Sequence, residues 1–173
     1  SIRANAQNSI VYLDSMGTVT INAFQIDSLS RVGCGDTIVS YTFRDTGLET
    51  RSYSCADTSI MHEVWLQITD NNGNIDTAQA FIKVRDTIAP VVQTRSLTVA
   101  LTTNTRSVTV SALDLIYSLS DNCSDSTDIT VVFANTGLAT QNFSCGNFSN
   151  TNLRITDRAG NSVIVPTTIT PTG

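Results

Sequence analysis

The feature that most constrains this chain is that it repeats itself. Thr46-Gly47-Leu48 recurs as Thr136-Gly137-Leu138 and Ser54-Cys55 as Ser144-Cys145, both at an offset of 90 residues. Ile68-Thr69-Asp70 recurs as Ile155-Thr156-Asp157, and Gly73-Asn74 as Gly160-Asn161, at an offset of 87. Phe43 matches Phe133, and Tyr53 matches Phe143. Landmarks that keep their order with one small deletion define two copies of one unit, too long for a solenoid repeat and suited to a small sandwich domain. The expected division is 1–87 and 88–173, at Asp86-Thr87-Ile88-Ala89-Pro90, where the proline fixes an extended passage.

Each copy reads as strands. Val64, Leu66 and Ile68 alternate with Trp65, Gln67 and Thr69, as do Val108 and Val110 around Thr109, and Val19 and Ile21 around Thr20. This is the period of a half-buried strand in β-branched residues. Asn71-Asn72-Gly73-Asn74 and Arg158-Ala159-Gly160-Asn161 supply turn chemistry between the last two strands of each copy. The fold class expected is all-β: two tandem Ig-like β-sandwiches of about six or seven short strands each. Helix is limited to a turn at Asp114 to Leu119.

Four cysteines stand at 34, 55, 123 and 145. Zinc is disfavoured, because no C-x-x-C knuckle is present and His62 is the single histidine. The near-equal spacing within each copy favours bridges Cys34–Cys55 and Cys123–Cys145, each worth roughly 3 kcal/mol in the chain-entropy model. Disulfides imply an oxidising compartment.

A net charge of −5 argues against nucleic acid, which needs a basic patch. No stretch approaches the roughly 20 apolar residues of a membrane span. The missing start Met and linker-like end read as a fragment of a longer array. No enzyme is expected. His62 has no acid partner at a catalytic spacing, Glu49 and Glu63 are the only glutamates, and no phosphate loop occurs. Calcium is the most plausible ion, with Asp121, Asn122, Asp125 and Asp128 clustered in copy two and Asp114 nearby in sequence. Trp65 should point outward and is the candidate for stacking on a sugar or a neighbouring surface.

Ser120-Asp121-Asn122-Cys123, Phe143-Ser144-Cys145 and Ile155-Thr156-Asp157-x-x-Gly160-Asn161 resemble the hyalin-related Ig-like repeats of large cell-surface adhesins of gliding Bacteroidota. In copy one the matching elements are Tyr53-Ser54-Cys55, Ile68-Thr69-Asp70-x-x-Gly73-Asn74 and Asp86-Thr87-Ile88-Ala89-Pro90. Copy one departs where Arg31-Val32-Gly33 stands for Ser120-Asp121-Asn122. The resemblance implies an extracellular filament or adhesin segment on a diderm bacterium, with neighbouring repeats or copies of itself as partners. It also implies O-glycans at Asp-Ser/Thr followed by an aliphatic residue, Met or Thr, which here means Ser15, Ser28, Thr37, Thr77, Thr87 and Ser126. The plainer reading is that aspartate before Ser or Thr makes turns and caps at strand ends. The sequons at Asn122, Asn142 and Asn147 would matter only in a eukaryotic secretory host. A protein- or carbohydrate-binding module is the rival function, and an accessory domain of a larger secreted enzyme is a third.

Overall fold

A computed structural model describes every residue except Thr102, Thr103, Thr105, Asn147, Ser149 and Gly173. The Asn147 sequon therefore lies outside the described residues. The chain divides into two compact units, Ser1–Asp86 and Thr87–Gly173. All described regular structure is strand or short 3-10 turn.

In unit 1, β1 (Ser9–Tyr12), β3 (Ile38–Phe43), β5 (Met61–Asp70) and β6 (Ile75–Arg85) form one sheet in the order β1-β6-β5-β3. Facing it are β2 (Thr18–Asn22) and β4 (Thr50–Ser54), paired antiparallel. After a 3-10 turn at Ala23–Ile26, the chain that follows β2 meets the first residues through bridges Arg3↔Arg31 and Ala6↔Asp27. This is an Ig-like arrangement: a first strand split between two sheets, with its second half, β1, running parallel to the last strand.

Unit 2 repeats the plan with a full ladder at its first strand and a shorter central hairpin. β7 (Val91–Thr94) pairs with β10 (Ile116–Ser120) where unit 1 has only bridges. β8 (Leu97–Ala100) lies parallel to β15 (Ile169–Thr172), and β9 (Ser107–Ser111) pairs with β12 (Thr140–Ser144). β11 (Thr130–Phe133), β13 (Thr151–Thr156) and β14 (Ser162–Thr167) form the remaining sheet. The helical turn sits earlier than expected, at Ala112–Leu115, because the apolar residues from Ile116 onward are drawn into β10.

The cores obey the alternation. Val64, Leu66 and Ile68 are buried on the inner face of β5, against Phe43, Ile82 and Val84. In unit 2, Phe133, Phe143, Leu153 and Ile155 form the equivalent core, with Phe133 edge-on to Phe143 at 6.0 Å between centroids. Burying such side chains contributes about 1.5–3 kcal/mol each.

The Thr-Gly-Leu motif carries the chain from one sheet to the other. The Phe43 N–H donates to Leu48 O (2.8 Å), the Gly47 N–H to Phe43 O (2.7 Å), and the Leu48 N–H to Thr46 Oγ1 (3.2 Å). Copy two repeats these bonds at Phe133, Gly137 and Leu138 (2.9, 2.8 and 3.3 Å). Gly47 and Gly137 hold φ of +71° and +72°, a conformation that strains any residue with a Cβ.

That crossing corrects the expected disulfides. Cys34 and Cys145 are exposed free thiols, whereas Cys55 and Cys123 are disulfide-bonded. Neither Cys34–Cys55 nor Cys123–Cys145 forms. β3 and β4 do not make a hairpin; one passes from an end of the sandwich to its middle, and the other continues to the opposite end. Cys34 precedes Ile38, which pairs with Asp70 at the far end of β5, while Cys55 precedes Met61 at its near end. Ten residues of strand separate them by roughly 30 Å, against the roughly 7 Å between Cα atoms that a disulfide tolerates. In unit 2, Cys123 lies toward the Thr156 end of β13 and Cys145 toward its Thr151 end.

Candidate functional site

Each unit has two poles. In unit 1 the entry pole holds Arg3, Cys34 and the Asp70–Asn74 turn; the exit pole holds Gly17, Cys55 and Arg85. In unit 2 the entry pole holds Val91, Asp121, Cys123 and the Asp157–Asn161 turn, and the exit pole Ser107, Ser144 and Cys145.

The Asp-x-x-Gly-Asn turns are the most tightly built polar features. Asp70 Oδ1 accepts from the N–H groups of Asn72 (2.9 Å) and Asn74 (2.8 Å), and Oδ2 from Asn74 Nδ2 (2.9 Å). These bonds, led by the Asn74 side chain, hold the Asp70 carboxyl below the usual carboxylate range. Asp157 is buried likewise and accepts from Asn161 N (2.8 Å) and Nδ2 (3.0 Å).

Of the residues expected to gather around calcium, the fold assembles only part. Asp121 is fixed by the N–H groups of Cys123 (3.0 Å) and Ser124 (2.8 Å) on Oδ2, and Asn122 follows it. Its Oδ1 is shielded from solvent without a hydrogen-bond partner. Carboxylate oxygens of Asp121 and Asp157 approach within 4.8 Å. Asp114 lies at the other end of β10 from Asp121, with its carbonyl accepting from Arg95 Nε (2.7 Å). Asp125 and Asp128 are exposed around the 3-10 turn Ser126–Asp128. Calcium needs six to eight oxygens, and this pair supplies a fraction of them. Asp157 was missed as a ligand candidate because it is far from Asp121 in sequence; the repeated Ile-Thr-Asp motif was the available signal.

Trp65 points outward, as the alternation requires, yet its ring is half-covered. The Arg44 guanidinium carbon stands 4.2 Å from the ring centroid, and Nε1 donates to Glu63 Oε1 (2.9 Å). The face a sugar would use is thus occupied by a cation. His62 Nε2 lies 2.7 Å from the Asp57 carbonyl, beside the Tyr53 ring. An open apolar groove runs between β1, β5 and β6, lined by Ile10, Met61, Phe81 and Lys83.

Among the expected glycosylation positions, Ser15, Thr37, Thr87 and Ser126 are exposed, whereas Ser28 and Thr77 are half-buried. The preceding aspartates serve the local fold. Asp14 accepts from Met16 N (2.9 Å) and Thr18 N (3.0 Å), and these bonds, the Thr18 one foremost, lower its pKa. Asp36 accepts from Asn72 Nδ2 (3.0 Å), and Asp76 from Ala4 N (2.7 Å). Their turn and tie roles account for these aspartates whether or not sugar follows.

No family model matches the chain, and no curated protein matches it. Among solved structures it is similar to the protocadherin gamma B7 extracellular cadherin domains 1–4, at 15% identity and a TM-score of 0.36, covering 99% of this chain and 51% of that one. It is also similar to DIP-gamma IG1+IG2, at 9% identity and a TM-score of 0.35, covering 100% and 97%. The N-terminal four Ig domains of Dscam1 isoform 8.4 match at 8% identity and a TM-score of 0.39, covering 99% of this chain and 47% of that one. Among the described residues no helix is long and apolar enough to cross a membrane.

Proposed function

We propose that this chain is a structural repeat segment of an exported cell-surface filament or adhesin stalk, on a diderm bacterium, with O-glycans on its exposed Asp-Ser/Thr positions. One observation carries the reading. Both units take the chain in at one pole and release it at the other, with the same crossing motif and the same turn chemistry in each. A domain built so can be strung in series. Its neutral surface, rich in Ser, Thr and Asn, suits exposure to the medium and attached sugar.

The test is protease shaving of intact cells followed by glycopeptide mapping. The expected result is release of this segment by shaving, with hexose-bearing peptides at Ser15, Thr37, Thr87 and Ser126, and lower occupancy at half-buried Ser28 and Thr77. Protection from external protease would refute the location, and bare peptides would refute the glycans alone.

The groove between β1, β5 and β6 favours a second reading, a protein- or carbohydrate-binding module. It differs in predicting a saturable ligand lost on Phe81→Ala. Calcium enters the leading reading as an ion held at the Asp121–Asp157 pole and completed by water. A higher melting temperature in millimolar calcium, removed by Asp121→Asn, is the expected sign.

A further inference from the structure

The outer face of the unit 1 sheet carries a trough that the fold itself does not require. It follows β6 over Phe81, Lys83 and Arg85, with Ile10 of β1 and Met61 of β5 standing opposite Lys83 on either side. Two strand spacings separate the backbones of these walls by about 10 Å. Ile10, Met61 and Phe81 are 48%, 59% and 38% exposed. The parallel ladders fix the matching positions in unit 2, because Leu97↔Ile169 corresponds to Ser9↔Ile82. Where unit 1 has Ile10, Phe81, Lys83 and Arg85, unit 2 has Thr98, Thr168, Thr170 and Thr172, all exposed. A sandwich of the same plan thus stands without these apolar and cationic groups, and packing does not account for them.

The trough is cationic on a chain of net charge −5. Among the described residues the one ion pair is Arg51–Asp45, so no carboxylate neutralises Lys83 or Arg85. Lys83 Nζ donates to Thr58 O (3.1 Å), which leaves two of its three N–H donors uncommitted. Glu63, across from Phe81, has its Oε1 drawn to Trp65 Nε1. Lys83 and Arg85 project on one side of β6 about 7 Å apart. Asn8, whose Oδ1 accepts from the Phe81 N–H (2.9 Å), brings a polar group to the rim. Seven residues line the trough, against the roughly 20–30 a side of a stable protein interface. An open furrow along a strand suits an inner stretch of a linear polymer instead. Spaced cations match spaced anions, and the Phe81 ring between aliphatic walls matches the apolar face of a sugar ring.

We propose that this trough binds an anionic polysaccharide, carboxylated or sulfated, with its acid groups on Lys83 and Arg85 and a sugar ring on Phe81. The proposal rests on the second reading above, that of a binding module, and names its ligand class. The acidic remainder of the chain repels such a polymer elsewhere, which confines binding to the trough.

Calorimetric titration of the purified chain with polygalacturonate, dextran sulfate and neutral dextran tests this. The expected result is saturable binding to one or both polyanions and none to dextran. Binding should weaken as salt rises from about 0.05 to 0.5 M, because exposed charges are screened. Phe81→Thr, and Lys83→Thr combined with Arg85→Thr, install the residues that unit 2 carries. Each variant should keep the unit 1 melting transition and bind roughly tenfold or more weakly, the scale of a lost charge-assisted bond. Equal binding of dextran would overturn the anionic ligand and leave the binding module in place. Polyanion binding untouched by the substitutions would overturn the site. No binding to any of the three polymers would overturn the proposal outright, and a protein ligand lost with Phe81→Thr would then preserve the module without the sugar.

Discussion

Phe133→Ala tests whether unit 2 stands on its own core. Phe133 is fully buried and edge-on to Phe143, which in turn stacks on Phe148 at 5.7 Å. Deleting a buried phenylalanine costs about 3–5 kcal/mol, cavity included, and the edge-to-face pair accounts for roughly 0.5–1.5 kcal/mol of such a loss. A unit of this length holds only about 4–13 kcal/mol in total. The variant should therefore lose from about a quarter of unit 2's stability to all of it, and a unit at the low end of that stability range is unfolded at 25 °C. Phe133→Leu, which keeps most of the volume, should cost about 1–2 kcal/mol, or roughly 4–16 °C in melting temperature for a domain of this size. Scanning calorimetry is the assay. The unit 1 transition, resting on Phe43, Leu66, Ile68 and Ile82, should stay in place while the other shifts or vanishes. A loss below about 1 kcal/mol for the alanine variant, or both transitions falling together, would refute the reasoning.

Asp70→Asn should flatten the acid limb of unit 1 unfolding. The folded pKa is lowered, so this carboxylate's contribution is complete above its unfolded value near 4 and is lost as pH falls through the folded one; urea midpoints from pH 2 to 7 would show it. Arg44→Ala should destabilise by about 0.5–1 kcal/mol through the lost cation–π contact, and tryptophan fluorescence should shift as the Trp65 face opens. Gly137→Ala should cost about 1 kcal/mol or more, because φ of +72° strains a Cβ, as measured by the unit 2 melting point.

The repeat, the strands and the buried set could be read from the sequence because each is a local periodicity. Val64, Leu66 and Ile68 had to share a face, and the Asp-x-x-Gly-Asn turns had to close the last hairpins. The cysteine pairing could not be read the same way. Separation along the chain resembles distance in space only if the chain doubles back, and between Cys34 and Cys55 it crosses between sheets and continues onward. The approach of Asp121 to Asp157 was hidden for a related reason. It depends on which ends of β10 and β13 share a pole, a matter of register rather than residue type. Trp65 was placed correctly outward, but its cover by Arg44 arises from the β3–β5 pairing, which sequence alternation does not specify.

The parallel pairing of β1 with β6, and of β8 with β15, has a mechanical consequence. Tension applied along a string of such units enters at one pole and leaves at the other, so it slides these paired strands along their length in opposite directions. The hydrogen bonds linking Ser9–Tyr12 to Ile82–Arg85 then share the strain at once, whereas a pulled hairpin opens one rung at a time. Unit 2 has Pro171 in its corresponding ladder, a residue with no N–H to contribute. Stretched from both ends, the second unit should yield at lower force than the first.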